Sequence, residues 1–261
     1  MKNKRWILFL IPSLAGFLTF YVVPFFHSFY YAFVENAFSQ KFVWFDNFIQ
    51  IIQNPSFQNA VINTLKFMAA AVASVMVLSY VIAQLIVYFG LKLPVVKKAY
   101  FLPFVLPSAI MVVFWQTYFT EFAPFDSLLV CFLWKYSGIN IMLFMTALCR
   151  LPAEYYESAQ IDGAGKFKQS LHVSLPLIIP TIFFTGILSV INSLKIFKES
   201  YLLYGQYPDT SVYMLQNYLN NHFTKLNYQN ISTAAILFFA VIYILVMFVF
   251  NWEKKVNEGM Y

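Results

Sequence analysis

Asn63-Thr64-Leu65-Lys66-Phe67-Met68-Ala69-Ala70-Ala71-Val72-Ala73-Ser74-Val75-Met76-Val77-Leu78-Ser79-Tyr80-Val81-Ile82-Ala83-Gln84-Leu85-Ile86-Val87-Tyr88-Phe89 runs through a single charge, Lys66. A hydrocarbon layer about 30 Å thick is crossed by roughly 20 apolar residues in a helix. This run exceeds that length. It does not alternate as a strand of a membrane barrel would, and lipid offers no partner for free backbone groups, so a helix is the form expected. Ala69, Ala70, Ala73 and Ser74 put small side chains four apart, which lets a second helix approach closely.

Five more runs flank this one. With it, the expected spans are 6–33, 63–89, 99–119, 127–148, 175–196 and 231–252. The chain of 261 residues is 61% hydrophobic and only 11% charged. Soluble domains carry about 25% charged residues, so a single water-facing core is excluded. The reading is an all-α membrane protein, one domain over 1–261 with six transmembrane helices. Lys2-Asn3-Lys4-Arg5 before the first run resembles a signal peptide, but the run is long and aromatic and no small-residue cleavage site closes it, so an uncleaved span is expected. Pro103 and Pro107 in the third span, and Pro176 and Pro180 in the fifth, are expected to kink their helices.

Basic residues give the orientation. If both termini are cytoplasmic, the inner segments hold Lys2, Lys4, Arg5, Lys92, Lys97, Lys98, Arg150, Lys166, Lys168, Lys254 and Lys255, which is 11 of the 17 Lys and Arg. This is the bias that sets membrane topology. It also accounts for the net charge of +6 without invoking nucleic acid. Cys131 and Cys149 lie 18 residues apart on one helix, about 27 Å, and cannot pair. Two long outer loops, 34–62 and 197–230, carry apolar residues at helical spacing: Phe45, Phe48, Ile49 and Ile52 in one, Val212, Leu215, Leu219 and Phe223 in the other. Each suits a short amphipathic helix that covers the bundle or receives a soluble partner.

The segment between the fourth and fifth spans is the longest inner one: Arg150-Leu151-Pro152-Ala153-Glu154-Tyr155-Tyr156-Glu157-Ser158-Ala159-Gln160-Ile161-Asp162-Gly163-Ala164-Gly165-Lys166-Phe167-Lys168-Gln169-Ser170-Leu171-His172-Val173-Ser174-Leu175-Pro176. Pro152 ends one helix, residues 153–161 form the next, Asp162-Gly163 is a turn, and a second short helix follows. The residues predict a helix–turn–helix on the cytoplasmic face, acidic first and basic second.

This loop resembles the cytoplasmic motif of the permease subunits of binding-protein-dependent ABC importers. There Glu-Ala-Ala, three residues, Gly and nine residues precede Ile-x-Leu-Pro; here Glu157-Ser158-Ala159, Gly163 and Val173-Ser174-Leu175-Pro176 stand at that spacing. The longer carbohydrate-permease form is matched by Pro152, Glu154, Glu157, Ala159, Asp162, Gly163 and Ala164, with Leu151 for Ile. Phe20-Tyr21-Val22-Val23-Pro24, Asp46-Asn47-Phe48, Asn63-Thr64, Leu102-Pro103, and Trp134-Lys135 with Gly138 agree more loosely. The likeness is closest to the first membrane subunit of maltose- and glycerol-phosphate-type systems. Ser158 and Ser170 depart mildly from it, and Tyr204-Gly205-Gln206-Tyr207-Pro208 replaces a Gly-Gly-Pro turn on the outer side.

The resemblance implies a type I importer permease fold of the maltose- and methionine-permease kind, with a coupling-helix loop at 150–175. It implies a second permease subunit, a dimer of ATPase subunits that bind ATP and Mg in trans, an extracellular or periplasmic solute-binding protein, and a sugar or oligosaccharide as substrate. The setting is a bacterial cytoplasmic membrane. Glu154, Glu157, Ser158, Ala159, Asp162, Gly163 and Ala164 are the implied contacts with the ATPase. The chain binds no cofactor of its own: Gly163-Ala164-Gly165-Lys166 is too short and in the wrong context for a phosphate loop.

Lys135 and Asn140 in the fourth span, and Asn192, Ser193 and Lys195 at the fifth, are candidates for the substrate path, because polar groups at depth face a bundle interior or a wet cavity. Lys135 snorkelling outward and Asn192 bonding a neighbouring helix are the plainer alternatives. A glycerol-phosphate or other small polar solute is the second substrate reading. A secondary transporter fits poorly, since every acid is placed in a loop or near a span end. An enzyme fits poorly as well: His27, His172 and His222 stand in separate segments with no metal-ligand spacing. A membrane scaffold is set aside by the loop motif alone.

Overall fold

A computed structural model of the chain describes residues 6–36, 39–90, 100–119 and 121–258. The expected inner basic residues Lys2, Lys4, Arg5, Lys92, Lys97 and Lys98 lie outside the described residues. What is described is helical; the only β pairing among it is an isolated bridge between Val34 and Phe42. Among the described residues five helical runs are long and apolar enough to cross a membrane: Phe9–Tyr31, Pro55–Tyr88, Pro124–Leu148, Ile179–Tyr204 and Tyr228–Lys255.

The chain forms two compact units, one of Met1–Asn59 with Tyr218–Tyr243, the other of Ala60–Asn217 with Ile244–Tyr261. In the first unit, α1 (Trp6–Phe17), a π-helical turn (Leu18–Val22) and α2 (Val23–Tyr31) make one run. Pro24 has no N–H to give to the preceding turn, and the widened turn just before it absorbs that loss. The run is exposed almost throughout, Phe9 at 84% and Phe20 at 76%, as a lipid-facing or partner-facing helix would be. Asn47, in α3 (Asp46–Ile52), donates to the carbonyls of Ala32 and Val34 at 3.0 and 2.8 Å and fastens this short helix to the end of α2. Its apolar stripe is turned outward: Phe45, Ile49 and Ile52 are exposed, while Asn47 and Ile51 are buried.

α4 (Pro55–Tyr88) begins eight residues ahead of the expected span. The Asn54 side chain accepts the N–H groups of Ser56 and Phe57 at 2.9 and 3.2 Å, a helix cap, and Pro55 occupies the first turn where its missing donor is harmless. In the second unit Asn63 of this helix donates to the carbonyls of Thr210 and Tyr213, and the Thr64 hydroxyl accepts the Leu215 N–H at 2.9 Å. The span expected over 99–119 is interrupted. Residues 100–105 are helical, Pro107 is extended (ψ 138°), and α5 restarts as Ser108–Gln116. Pro107 thus breaks the helix where a kink was expected.

α6 (Pro124–Leu148) is the most enclosed helix. It packs Leu128, Phe132 and Tyr136 against Phe67, Ala71 and Val75 of α4 nearer one end, and Ile141, Phe144 and Leu148 against Ala83 and Ile86 nearer the other. A Cβ on Gly138 would overlap the carbonyl of Tyr100, so only glycine admits that approach. After α6 come α7 (Ala153–Ile161), α8 (Lys166–Gln169), a π-helical turn (Ser170–Ser174), α9 (Leu175–Leu177) and α10 (Ile179–Leu194). Ile178 interrupts the fifth span between Pro176 and Pro180. α11 (Phe197–Tyr204) continues it beyond the expected end at 196. α12 (Leu215–Thr224) and α13 (Tyr228–Glu258) complete the chain. Cys131 and Cys149 are both free, the former buried and the latter exposed.

Candidate functional site

Two constellations of polar residues stand out, both in the second unit. The first is the loop after α6. Pro152, extended (ψ 140°), opens α7, and Glu154 sits in its first turn, where a negative charge complements the helix dipole. The helix ends in a complete αL cap. Gly163 has φ +75°, its N–H reaches the Gln160 carbonyl at 3.0 Å, and the Ala164 N–H reaches back to the Ala159 carbonyl at 2.9 Å. The residue in the left-handed position must be glycine to avoid strain, and the two alanines are joined by the bond that spans five residues. Ser158 donates its hydroxyl to the Glu154 carbonyl one turn back, at 2.8 Å.

The cap joins the two helices of the loop rigidly. Gln169 donates to the Ala164 carbonyl at 2.9 Å, and the hydroxyls of Tyr156 and Ser174 are 2.9 Å apart. From α4, the Tyr80 hydroxyl lies 2.8 Å from the Ser170 hydroxyl and takes a bond from Gln84 at 2.9 Å. The loop is therefore clamped to a long span on its inner side. Its outer side is open: Glu154, Glu157, Ser158, Asp162 and Gly163 are all exposed, with Ala159 and Ala164 half-buried. Tyr155, Ile161 and Phe167 are exposed apolar side chains among them, Ile161 at 87%. The structure thus brings all seven expected coupling residues into one surface helix and its turn.

The second constellation gathers Lys135, Ser108 and Glu199. The Lys135 ammonium meets a Glu199 carboxylate oxygen at 2.5 Å and the Ser108 hydroxyl at 3.1 Å, while Ser108 donates to that same oxygen at 2.7 Å. Glu199 is fully buried and Lys135 nearly so. This ion pair ties α5, α6 and α11 together. Lys135 therefore does not snorkel, and Glu199 belongs to a helix, its side chain buried, rather than to an outer loop. Sequence reasoning missed Glu199 and Ser108. The available signal was Lys135 itself, since a charge inside a span almost always has an opposite partner.

Asn140 donates to the Ser189 hydroxyl at 2.9 Å, and Ser189 in turn donates to the Thr185 carbonyl, an inter-helix bond between α6 and α10. Asn192 and Ser193 are buried, with Ser193 bonded to the Val190 carbonyl. Lys195 is exposed at the junction of α10 and α11 and joins neither cluster. Among the described residues no group of His, Cys, Asp and Glu is arranged to hold a metal ion. His222 packs against Tyr218, ring centroids 4.3 Å apart, and burial together with the nearby Lys225 holds its imidazole below the usual histidine range.

Residues 82–256 match the family described as the binding-protein-dependent transport system inner membrane component. The chain is similar to a probable starch degradation products transport system permease protein of Thermoanaerobacterium thermosulfurigenes, 24% identical over 98% of this chain and 97% of the relative. It is 27% identical to an arabinooligosaccharides transport system permease protein of Bacillus subtilis, over 78% of this chain and 73% of the relative. An sn-glycerol-3-phosphate transport system permease protein of Escherichia coli is 24% identical over 98% and 97%. Among solved structures, a chain of a bacterial ABC transporter involved in the import of the acidic polysaccharide alginate superposes with a TM-score of 0.78 at 22% identity, covering 96% of both chains.

Proposed function

Since this chain belongs to the family of binding-protein-dependent transport system inner membrane components, with the type I importer permease fold, we propose that it forms half of the translocation pathway of an ATP-driven importer for a sugar or oligosaccharide. It is a multi-pass membrane transport subunit, not an enzyme, in keeping with the family. The remaining parts follow from that reading. A second permease supplies the other half of the path. A dimer of ATPase subunits, which themselves bind ATP and Mg, docks on the cytoplasmic loop, and a solute-binding protein delivers substrate on the far side. Both termini are cytoplasmic.

The observation that carries the coupling role is the open face of α7 with its glycine-capped turn. α7 is tied to the segment 166–174 through Tyr156 and Ser174, and that segment is locked to α4 through Tyr80 and Ser170, so the loop transmits a push without bending. Exposed Glu157 and Asp162 offer charge to a basic partner, and Tyr155 and Ile161 offer apolar area. Such a link is a two-state element that nucleotide binding in the partner can bias. For the path, Lys195 with its neighbours Asn192 and Ser193 is the better candidate, because Lys135 and Asn140 are already engaged within the bundle.

The carbohydrate reading is supported by relatives named for starch degradation products and arabinooligosaccharides. The glycerol-phosphate relative keeps that solute as the second reading. Uptake of radiolabelled maltooligosaccharides, arabinooligosaccharides and glycerol 3-phosphate is measured in a strain deleted for this chain and in the complemented strain. Loss and recovery of oligosaccharide uptake alone is expected. Loss of glycerol 3-phosphate uptake alone would replace the first reading by the second.

A further inference from the structure

A cavity of about 720 Å³ opens beneath the loop, between the end of α4, the end of α6, α7 and the segment 166–174. Its floor is apolar, formed by Leu85, Val87, Leu148 and Leu151. Its rim carries Tyr88, Phe89, Tyr156 and Phe167, together with the hydroxyls of Ser170 and Ser174. Among the described residues the lining holds one cation, Lys166, and no acid. The Lys166 ammonium stands 5.4 Å from the centre of the Tyr88 ring, and among the described residues it has no ion-pair partner.

Position narrows what such a cavity can take. α4 and α6 are two of the membrane-crossing helices, and the cavity is built on the residues where both end, Tyr88 and Leu148. That is the headgroup level, where aromatic side chains gather. Tyr88 and Phe89 are 58% and 65% exposed there. The cavity also lies on the opposite side of α7 from the coupling residues: Ala153 and Tyr156 line it, whereas Glu154, Glu157 and Ser158 point away into the open face. A docked ATPase on the open face would leave it free. An apolar floor with a single rim cation at a membrane boundary is complementary to an amphiphile bearing one negative charge. A sugar would leave the floor uncovered, and a free nucleotide would find one cation for several charges.

The geometry points to a binding site for an anionic phospholipid of the inner leaflet: phosphate on Lys166, glycerol and the first acyl carbons over Leu85, Leu148 and Leu151. Basic pockets between spans on this side of a membrane are suited to such headgroups. The bound lipid would wedge the loop against α4. This site does not depend on the carbohydrate reading.

The purified full chain is incubated with equal phosphatidylglycerol or phosphatidylcholine, and the lipid retained is counted by native mass spectrometry. Retention of the anionic lipid about fivefold above the zwitterionic one is expected, the factor one surface lysine supplies, falling to parity in Lys166→Gln. Equal retention by the wild type, or an intact preference in the variant, would overturn the site. Cys149 is exposed and lines the cavity, whereas Cys131 is buried, so its alkylation by a maleimide gives an independent readout. Phosphatidylglycerol should slow that reaction and inorganic phosphate should not; equal protection by phosphate would show a free-phosphate site instead.

Discussion

Lys135 and Glu199 place opposite charges inside the bundle, 12% and 0% exposed, and Ser108 satisfies part of each. A pair of this kind adds little net stability over an apolar pair, but removing one partner strands the other, at about 3–5 kcal/mol. Lys135→Met is therefore expected to lower the detergent melting temperature sharply, and Lys135→Met with Glu199→Gln to recover most of the loss. A double variant no more stable than the single would mean that the charges do not act as a pair. The lysine was legible in the sequence as an oddity within a span. Its partner was not, because 64 positions separate them and the apolar run reads as ending at Ile196. The chain turns for only two residues there before α11 resumes, and Glu199 is carried inward with it. Gly163 was legible for a better reason: Asp-Gly after a helical stretch names both a turn and the one residue that sits in αL without strain.

The loop helix and its cap show what a motif means physically. Glu157-Ser158-Ala159 and the later Gly163-Ala164 are one helix end, in which the αL glycine and the bond between Ala164 and Ala159 fix the angle at which the second helix leaves. That angle is held from α4 by Tyr80. Tyr80→Phe removes a hydroxyl bonded to both Ser170 and Gln84, a loss of about 1–3 kcal/mol where the partners stay buried. The expected result is faster amide hydrogen exchange through 166–174 with α13 unchanged; equal exchange in variant and wild type would show that the clamp is not what orders the loop. Long apolar elements were legible by their composition, and their ends were not. α4 starts at Pro55 because Asn54 caps it, a signal present in the sequence but hidden inside what reads as a loop. α3 presents its apolar stripe outward and buries Asn47 instead. Periodicity finds a stripe but does not say which side of it is covered.

As a whole the molecule is a permease subunit of a family described by its dependence on a binding protein. The fold class was readable from the apolar runs and the family from the spaced residues of one loop, because both depend on local patterns. The break in the third run was not, since Pro107 interrupts it and a broken span reads the same as a bent one. The substrate path was least readable, because polar groups within a bundle serve packing and passage alike. The central claim is that α7 and its turn seat an ATPase. The chain is tagged, co-expressed with a second permease and an ATPase, and purified in mild detergent as wild type and as Gly163→Pro, whose ring cannot adopt φ +75°. Wild type should retain both partners, and the variant should keep the permease while losing most of the ATPase. Full retention of the ATPase by the variant, or its absence from the wild type, would contradict the account.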